Sequence, residues 1–208
     1  MSEIEETVSS LKKNNFDVYH VESKEKANEI FFKKILPEIN PKTVSYGDSL
    51  SAESTGILED LKKKEGIKFI ETFDEESTRK EQIQASRDAL QSDLFIAGIN
   101  AVTTTGLLVN LDMVGNRIAG IAFGPKKVVL VIGKNKITKN LENAMDRVKR
   151  IAPKNAARHP GLDVPCQKTG ECVDCDSPDR ICNSWLIKEK SYPKGRIKII
   201  LVDEDLGL

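Results

Sequence analysis

Four apolar stretches separated by glycines and small polar residues run from Asp93 to Gly133, and they predict the centre of the fold. Leu94–Ala97 and Val128–Ile132 are short, continuous apolar runs, each ending at a glycine, as strands buried on both faces require. The less regular stretches 107–111 and 118–123 read as further strands of the same sheet.

Upstream, apolar positions change to helical spacing. Ile4, Val8 and Leu11 mark a first helix ended by Asn14 and Asn15, before a strand over 16–21. Ser23 caps a second helix that turns Ala27, Ile30, Phe31 and Ile35 inward and stops near Pro37. A short strand over 43–46 leads into Gly47–Ser51 and a helix striped by Leu58 and Leu61, with Gly66 as its cap. A strand over 67–71 and a charged helix over 78–92, with Ile83, Ala85, Ala89 and Leu90 as buried candidates, return the chain to Leu94. After Gly133 an amphipathic helix runs from about Asn140 to Pro153, and 196–202 adds a last strand. Strands alternating with helices of this length predict an α/β fold, a single mostly parallel sheet with helices on both faces. The whole of 1–208 is expected to be one domain, with 153–193 an irregular cysteine-rich appendage because prolines, glycines and all four cysteines gather there.

Composition adds limits. With 208 residues, 39% hydrophobic and 31% charged, the chain can bury a substantial core. Its 32 basic residues balance 32 acidic ones, which argues against nucleic acid or an anionic membrane as a partner. The N-terminal stretch lacks an apolar signal core, and no run approaches the roughly 20 apolar residues of a membrane span, so a cytoplasmic location is expected.

Two strand-end loops are candidates for chemistry. Gly47–Ser51 lies between a strand and a helix, where backbone amides and the hydroxyls of Ser49 and Ser51 can hold an anion; equally, Ser51 can cap the helix while Gly47 makes the turn. Glu53 is either a solvated first-turn acid or a site carboxylate. Asn100–Gly106, with Thr104 and Thr105, leaves a buried strand at the same sheet edge, and Asn116, Arg117 and Lys136 supply a turn and two cations at other strand ends. Together these residues form the expected binding site for a small anionic metabolite. Neither a GK[ST] phosphate loop nor a GxGxxG fingerprint is present, so ATP and NAD have little support.

Cys166, Cys172, Cys175 and Cys182 give C-x5-C-x2-C-x6-C, four cysteines within seventeen positions. In a reducing compartment this density points to one shared metal, either zinc or an iron-sulfur cluster; reduced thiols or disulfides are the alternative. His20 reads as a strand residue, and His159 as a surface residue close to the ligand or metal region. Trp185 and Ile187 should pack the appendage onto the domain. No Ser-His-Asp or Cys-His constellation can be assembled.

The stretch NAVTTTGLLVNLDMVGNRIAGIAFGPKKVVLVIGKNKI, with IAPKNAARH and PCQKTGECVDCDSPDRIC downstream, closely resembles the lactate-utilisation (LUD) domain proteins in a stand-alone form with a cysteine-rich end. YGDSLSAESTGI is similar to the family's glycine-serine loop and LKKNNFDVYHVESKEKA to its opening. The resemblance implies the fold of glucosamine-6-phosphate deaminase, ribose-5-phosphate isomerase and CoA transferases, with a carboxylate or phosphorylated metabolite bound at the strand ends. It also implies a connection with lactate oxidation, and other lactate-utilisation proteins or a second copy of the chain as partners. Two positions depart from the family pattern: Thr104 and Thr105 stand where acids often precede the glycine, and Asp48 stands in place of a glycine. A metabolic protein and a non-catalytic sensor or assembly subunit are both compatible with these residues; turnover of lactate, pyruvate or a CoA thioester would separate them.

Overall fold

A computed structural model describes residues 2–74 and 76–208. The chain opens with helix α1 (Glu3–Lys13), capped by Ser2 and Glu5, followed by strand β1 (Asp17–Val21). Ser23 caps α2 (Lys24–Ile30), which passes through a π-helical turn (Phe31–Ile35) into α3 (Leu36–Ile39). The helix therefore does not stop before Pro37. That proline sits in the first turn of α3, where its missing N–H costs little.

Next come β2 (Thr43–Gly47), α4 (Leu50–Glu53), α5 (Ile57–Lys62), β3 (Lys68–Ile70) and α6 (Arg79–Ala89). Helix α6 is capped by Thr78 and buries Ala89 fully, whereas Ile83 is exposed. The central stretch supplies β4 (Leu94–Ala97), β5 (Ala101–Thr103), β6 (Leu108–Asp112), α7 (Asn116–Ala122) and β7 (Lys127–Gly133). The chain ends with β8 (Ile137–Thr138), α8 (Leu141–Ala156), α9 (Pro165–Thr169), β9 (Ser184–Lys188) and β10 (Ile197–Val202).

Six strands form a fully parallel sheet in the order β1-β10-β7-β4-β2-β3, so the last strand is inserted between the first and the seventh. Alternation within these strands divides the core in two. Val44, Tyr46, Leu94, Ile96, Val129, Val131, Ile200 and Val202 face Phe31, Ile35, Ile57 and Leu61 of the α2–α5 layer. Phe95, Ala97, Val128, Leu130, Ile132, Ile199 and Leu201 face Leu11 of α1, Ile121 of α7, and Val102 and Leu108 of a second sheet. This is the expected α/β fold with helices on both faces of a mostly parallel sheet.

Three expectations are corrected. The central stretch does not form one sheet: β5 and β6 belong to a four-stranded sheet ordered β8-β5-β6-β9. Residues 118–122 are not a strand but lie in α7, with Phe123 as its extended cap, because Gly115 in a left-handed conformation starts a helix and the Asp112 carboxylate accepts from the Ile118 amide at 3.0 Å. Helix α8 runs through Pro153 to Ala156, since Ala152, Pro153 and Ala156 are all buried and tertiary packing outweighs the lost hydrogen bond. The segment 153–193 is also less separate than composition predicts. Strand β9 pairs antiparallel with β6 along its full length, and Trp185 packs with Ala144 and Val148 of α8, while Ile187 is exposed. No helix among the described residues is long and apolar enough to cross a membrane.

At the start of β4, Asp93 ties together three segments. Its carboxylate accepts from the amides of Lys42 and Thr43 at 2.9 and 3.0 Å and from the Lys126 ammonium at 2.7 Å. The Lys126 hydrogen bond and the two amides hold its pKa well below the usual carboxylate range. Such a group stabilises the fold above its unfolded value of about 4, and that contribution is lost as pH falls through the lower folded value. Because the pair is partly solvated, Asp93→Ala should cost on the order of 1–2 kcal/mol at pH 7. The difference from wild type should shrink below about pH 4, as thermal unfolding across pH would show.

Candidate functional site

Strands β2 and β4 are neighbours in register, with Gly47 opposite Ala97, so the loops that follow them leave the same edge of the sheet side by side. Close packing requires glycine at both exits. A Cβ at Gly47 would lie 2.6 Å from Cζ of Phe95, and one at Gly98 would lie 2.7 Å from Oγ of Ser49. Above these exits is a cleft of about 220 Å³. Gly47, Asp48 and Ser49 form one wall, and Gly98, Ile99 and Asn100 form the floor. Asp112, Asn116, Arg117, Lys136, Arg158 and His159 complete its lining.

Lys136 is the distinctive group. It is only 5% exposed, and its ammonium donates to Oγ of Ser51 at 2.8 Å and to the carbonyl of Ile99 at 3.0 Å. No acidic side chain among the described residues is in ion-pair contact with it. Burial, reinforced by the charges of Arg147 and Arg117, pushes its pKa down to about 7. Arg147, also buried, joins three segments by donating to the main-chain oxygens of Asn135, Asn100 and Leu208 at 3.0, 2.5 and 3.1 Å. The other cations of the cleft are neutralised. Arg117 pairs with Asp112 at 2.5 Å and donates to Oδ1 of Asn100 at 2.9 Å; Arg158 pairs with Asp48 at 2.8 Å.

The structure brings Gly47, Ser49, Asn100, Asn116, Arg117 and Lys136 into the wall of one cleft. Ser49, rather than Ser51, caps α4, accepting from the Ala52 amide at 3.1 Å. Ser51 lies behind the cleft wall, donating to the Leu206 carbonyl and accepting from Lys136. Glu53 is exposed and does not line the cleft. Thr104 and Thr105 are not brought there either, because β5 carries the chain into the second sheet. The Thr104 hydroxyl donates to the Lys139 carbonyl, and Thr105 pairs with the Thr103 hydroxyl in the turn beside Asn14 of α1. His159, expected at the surface close to the ligand or metal region, lines the cleft. Asp48, Asp112 and Arg158 were not singled out as site residues, since their pairings depend on contacts up to 110 residues apart.

The four cysteines are free and line one small cavity of about 20 Å³, together with Lys149 and Arg180. Burial raises the pKa of the Cys166 thiol first, and Cys175 and Cys172 nearby raise it further. Arg180 donates to the carbonyls of Cys175 and Cys182 at 2.7 and 3.0 Å, bridging the two ends of the segment. As they stand, no three His, Cys, Asp or Glu side chains among the described residues converge closely enough to hold a metal ion. Ile181 lines both this cavity and the cleft, so the cysteine segment forms part of the cleft wall.

Comparison with known proteins accords with the fold. The LUD domain family matches residues 4–202. A crystal structure of a DUF162 family protein from Deinococcus radiodurans superposes with a TM-score of 0.54 at 13% identity, covering 97% of this chain and 99% of that one. At that identity the likeness concerns the fold. Among curated proteins there is no sequence match.

Proposed function

The chain belongs to the LUD domain family, a metabolic, lactate-utilisation class of domain, and on that premise we propose that its strand-end cleft binds a small carboxylate. Lys136 carries this reading: it is a buried cation facing the cleft without an acidic side chain to neutralise it. Desolvating a charge in this way is costly unless a counter-ion arrives, and a bound anion is that counter-ion. A monocarboxylate fits better than a phosphate. Asp48 and Asp112 also line the cleft and already engage Arg158 and Arg117, which leaves one cation for the ligand. About 220 Å³ suits a molecule of a few heavy atoms, such as a 2-hydroxy acid. Ser49 and Asn100 offer polar groups to orient it, and His159 also lines the cleft.

Isothermal titration with L-lactate and with inorganic phosphate tests this function. Lactate should bind and phosphate should bind more weakly. The double variant Ser49→Ala, Asn100→Ala should lower lactate affinity about tenfold, the scale of one or two polar contacts. Absence of lactate binding, unchanged affinity in the folded double variant, or a ligand-bound structure with the small molecule at the opposite sheet edge would each count against it.

A further inference from the structure

We propose that Cys166, Cys172, Cys175 and Cys182 together bind a single zinc ion that fixes the cysteine segment against the domain, a conclusion that does not rest on the function of the cleft. All four line one small, half-open cavity, although they are contributed by α9, by the stretch that follows it and by the residues just before β9. Packing accounts for Cys166 and Cys182, which lie against a small apolar cluster, but not for Cys172 and Cys175 beside them. Cys172 is exposed, and Val173 beside it is 55% exposed, so the loop does not bury its own apolar residues there.

The apolar support of this segment is a small cluster of Ala156, Val164 and Ile181, with Cys166 and Cys182 themselves packed against it. Between α9 and β9 the backbone forms neither helix nor strand, and Gly170 and Asp174 both take left-handed conformations that fold it back on itself. A tetrahedral ion closes a loop of this kind without requiring a larger core.

Charge also favours the ion. Four thiolates around a divalent cation leave two net negative charges, and Lys149 and Arg180 line the same cavity with Asp174 as their shared partner, which leaves one positive charge to offset them. Both cations are already positioned, each donating to Asp174 at 2.7 Å. The C-x5-C-x2-C-x6-C spacing is not the C-x2-C-x2-C-x3-C run of bacterial ferredoxins, which favours one ion over a multi-iron cluster. Because no three donors among the described residues converge, binding requires the thiols to close inward, Cys172 being the exposed one of the four.

The full-length chain, purified anaerobically from zinc-supplemented cells, is the material for the test. We expect one zinc per chain, and expect all four thiols to resist alkylation until a chelator is added. Cobalt substitution should give the intense thiolate charge-transfer bands of a four-sulfur tetrahedral site, and Cys175→Ser or Cys172→Ser should diminish them. Chelation should open residues 166–182 to protease while the rest of the chain stays intact. A chain that retains no metal even after reconstitution, iron with acid-labile sulfide in place of zinc, thiols that alkylate freely in the zinc-supplemented protein, or disulfides among them would overturn the proposal. Should a serine variant fail to fold, alkylation of the wild-type chain with and without chelator decides the matter.

Discussion

Lys136→Met should abolish most binding of a small carboxylate, weakening it on the order of 100-fold, while leaving the chain folded; loss of a charged hydrogen bond to an anion in a desolvated site is of this size. The two effects have the same origin. A buried ammonium with no acidic side chain beside it is held at a cost to stability, and methionine fills similar volume without the charge. The sign of the pH dependence follows from its folded pKa of about 7, which lies below the unfolded value. Below pH 7 both states carry the proton and the cost is fully present; as pH rises from 7 towards about 10 the folded state loses the proton first, and stability recovers. The variant should therefore unfold at higher temperature than wild type at pH 6, with the difference closing near pH 10. Ligand binding should run the other way. It requires the ammonium, so wild-type affinity should fall about tenfold per pH unit above 7, and the variant should show no such slope. Titration calorimetry at several pH values, with melting curves on the same samples, checks both. A variant that binds as wild type does would remove Lys136 from the site.

Gly120→Val should be the more damaging change to the fold, although it lies within a helix and valine forms helix better than glycine. The gain in helix propensity is below about 1 kcal/mol. Against it stands the ring of Phe95, which lies between two glycines: a Cβ at Gly120 would meet Cε1 at 2.7 Å, and one at Gly47 would meet Cζ at 2.6 Å. Phe95 is 2% exposed and cannot swing into solvent, so the helix must move. Overpacking of this kind costs roughly 1–3 kcal/mol, and valine's extra methyl groups place it at the upper end. For a chain of this length, about 3 kcal/mol lowers the melting temperature by roughly 10 °C. Adding Phe95→Leu should restore part of the loss, because the smaller side chain vacates the contact. A double variant no better than the single one would show that Phe95 is not the cause. The same displacement shifts Arg117, one turn earlier on the helix, so carboxylate binding should weaken as well.

How much of this could be read along the chain depended on range. Parallel strands such as 94–97 and 128–132 were legible because both faces are buried and every position is apolar. The cap at Ser23 was legible because its partner lies three residues away. The stretch 118–123 was misread because its decisive partners, Gly115 and the Asp112 carboxylate, precede it, and an apolar run of that length suits strand or helix equally. In the cleft, residues just beyond β2, β4 and β7 were found from strand ends alone. Thr104 and Thr105 follow the same rule in sequence but leave with β5 for the other sheet, a division that periodicity does not reveal. Asp48 looked unfavourable for an anion site until Arg158 came into contact with it from the far end of α8.

The position of β10 has a consequence for how the protein is made. Strand β1 is an edge strand whose neighbour is β10, and Asp17 is aligned with Lys198 near the other end of the chain. A nascent chain emerging from the ribosome therefore holds β1 and one edge of β7 without a strand between them until Ile197–Val202 has been synthesised. Over that interval the apolar residues Val128–Ile132 present an unpaired edge that can pair with other nascent chains. The cleft is completed at the same moment, since Ser51 is held by Leu206 and Arg147 by Leu208. Synthesis of β10 and the residues just after it thus both closes the sheet and fixes the two buried groups, Ser51 and Arg147, behind the cleft.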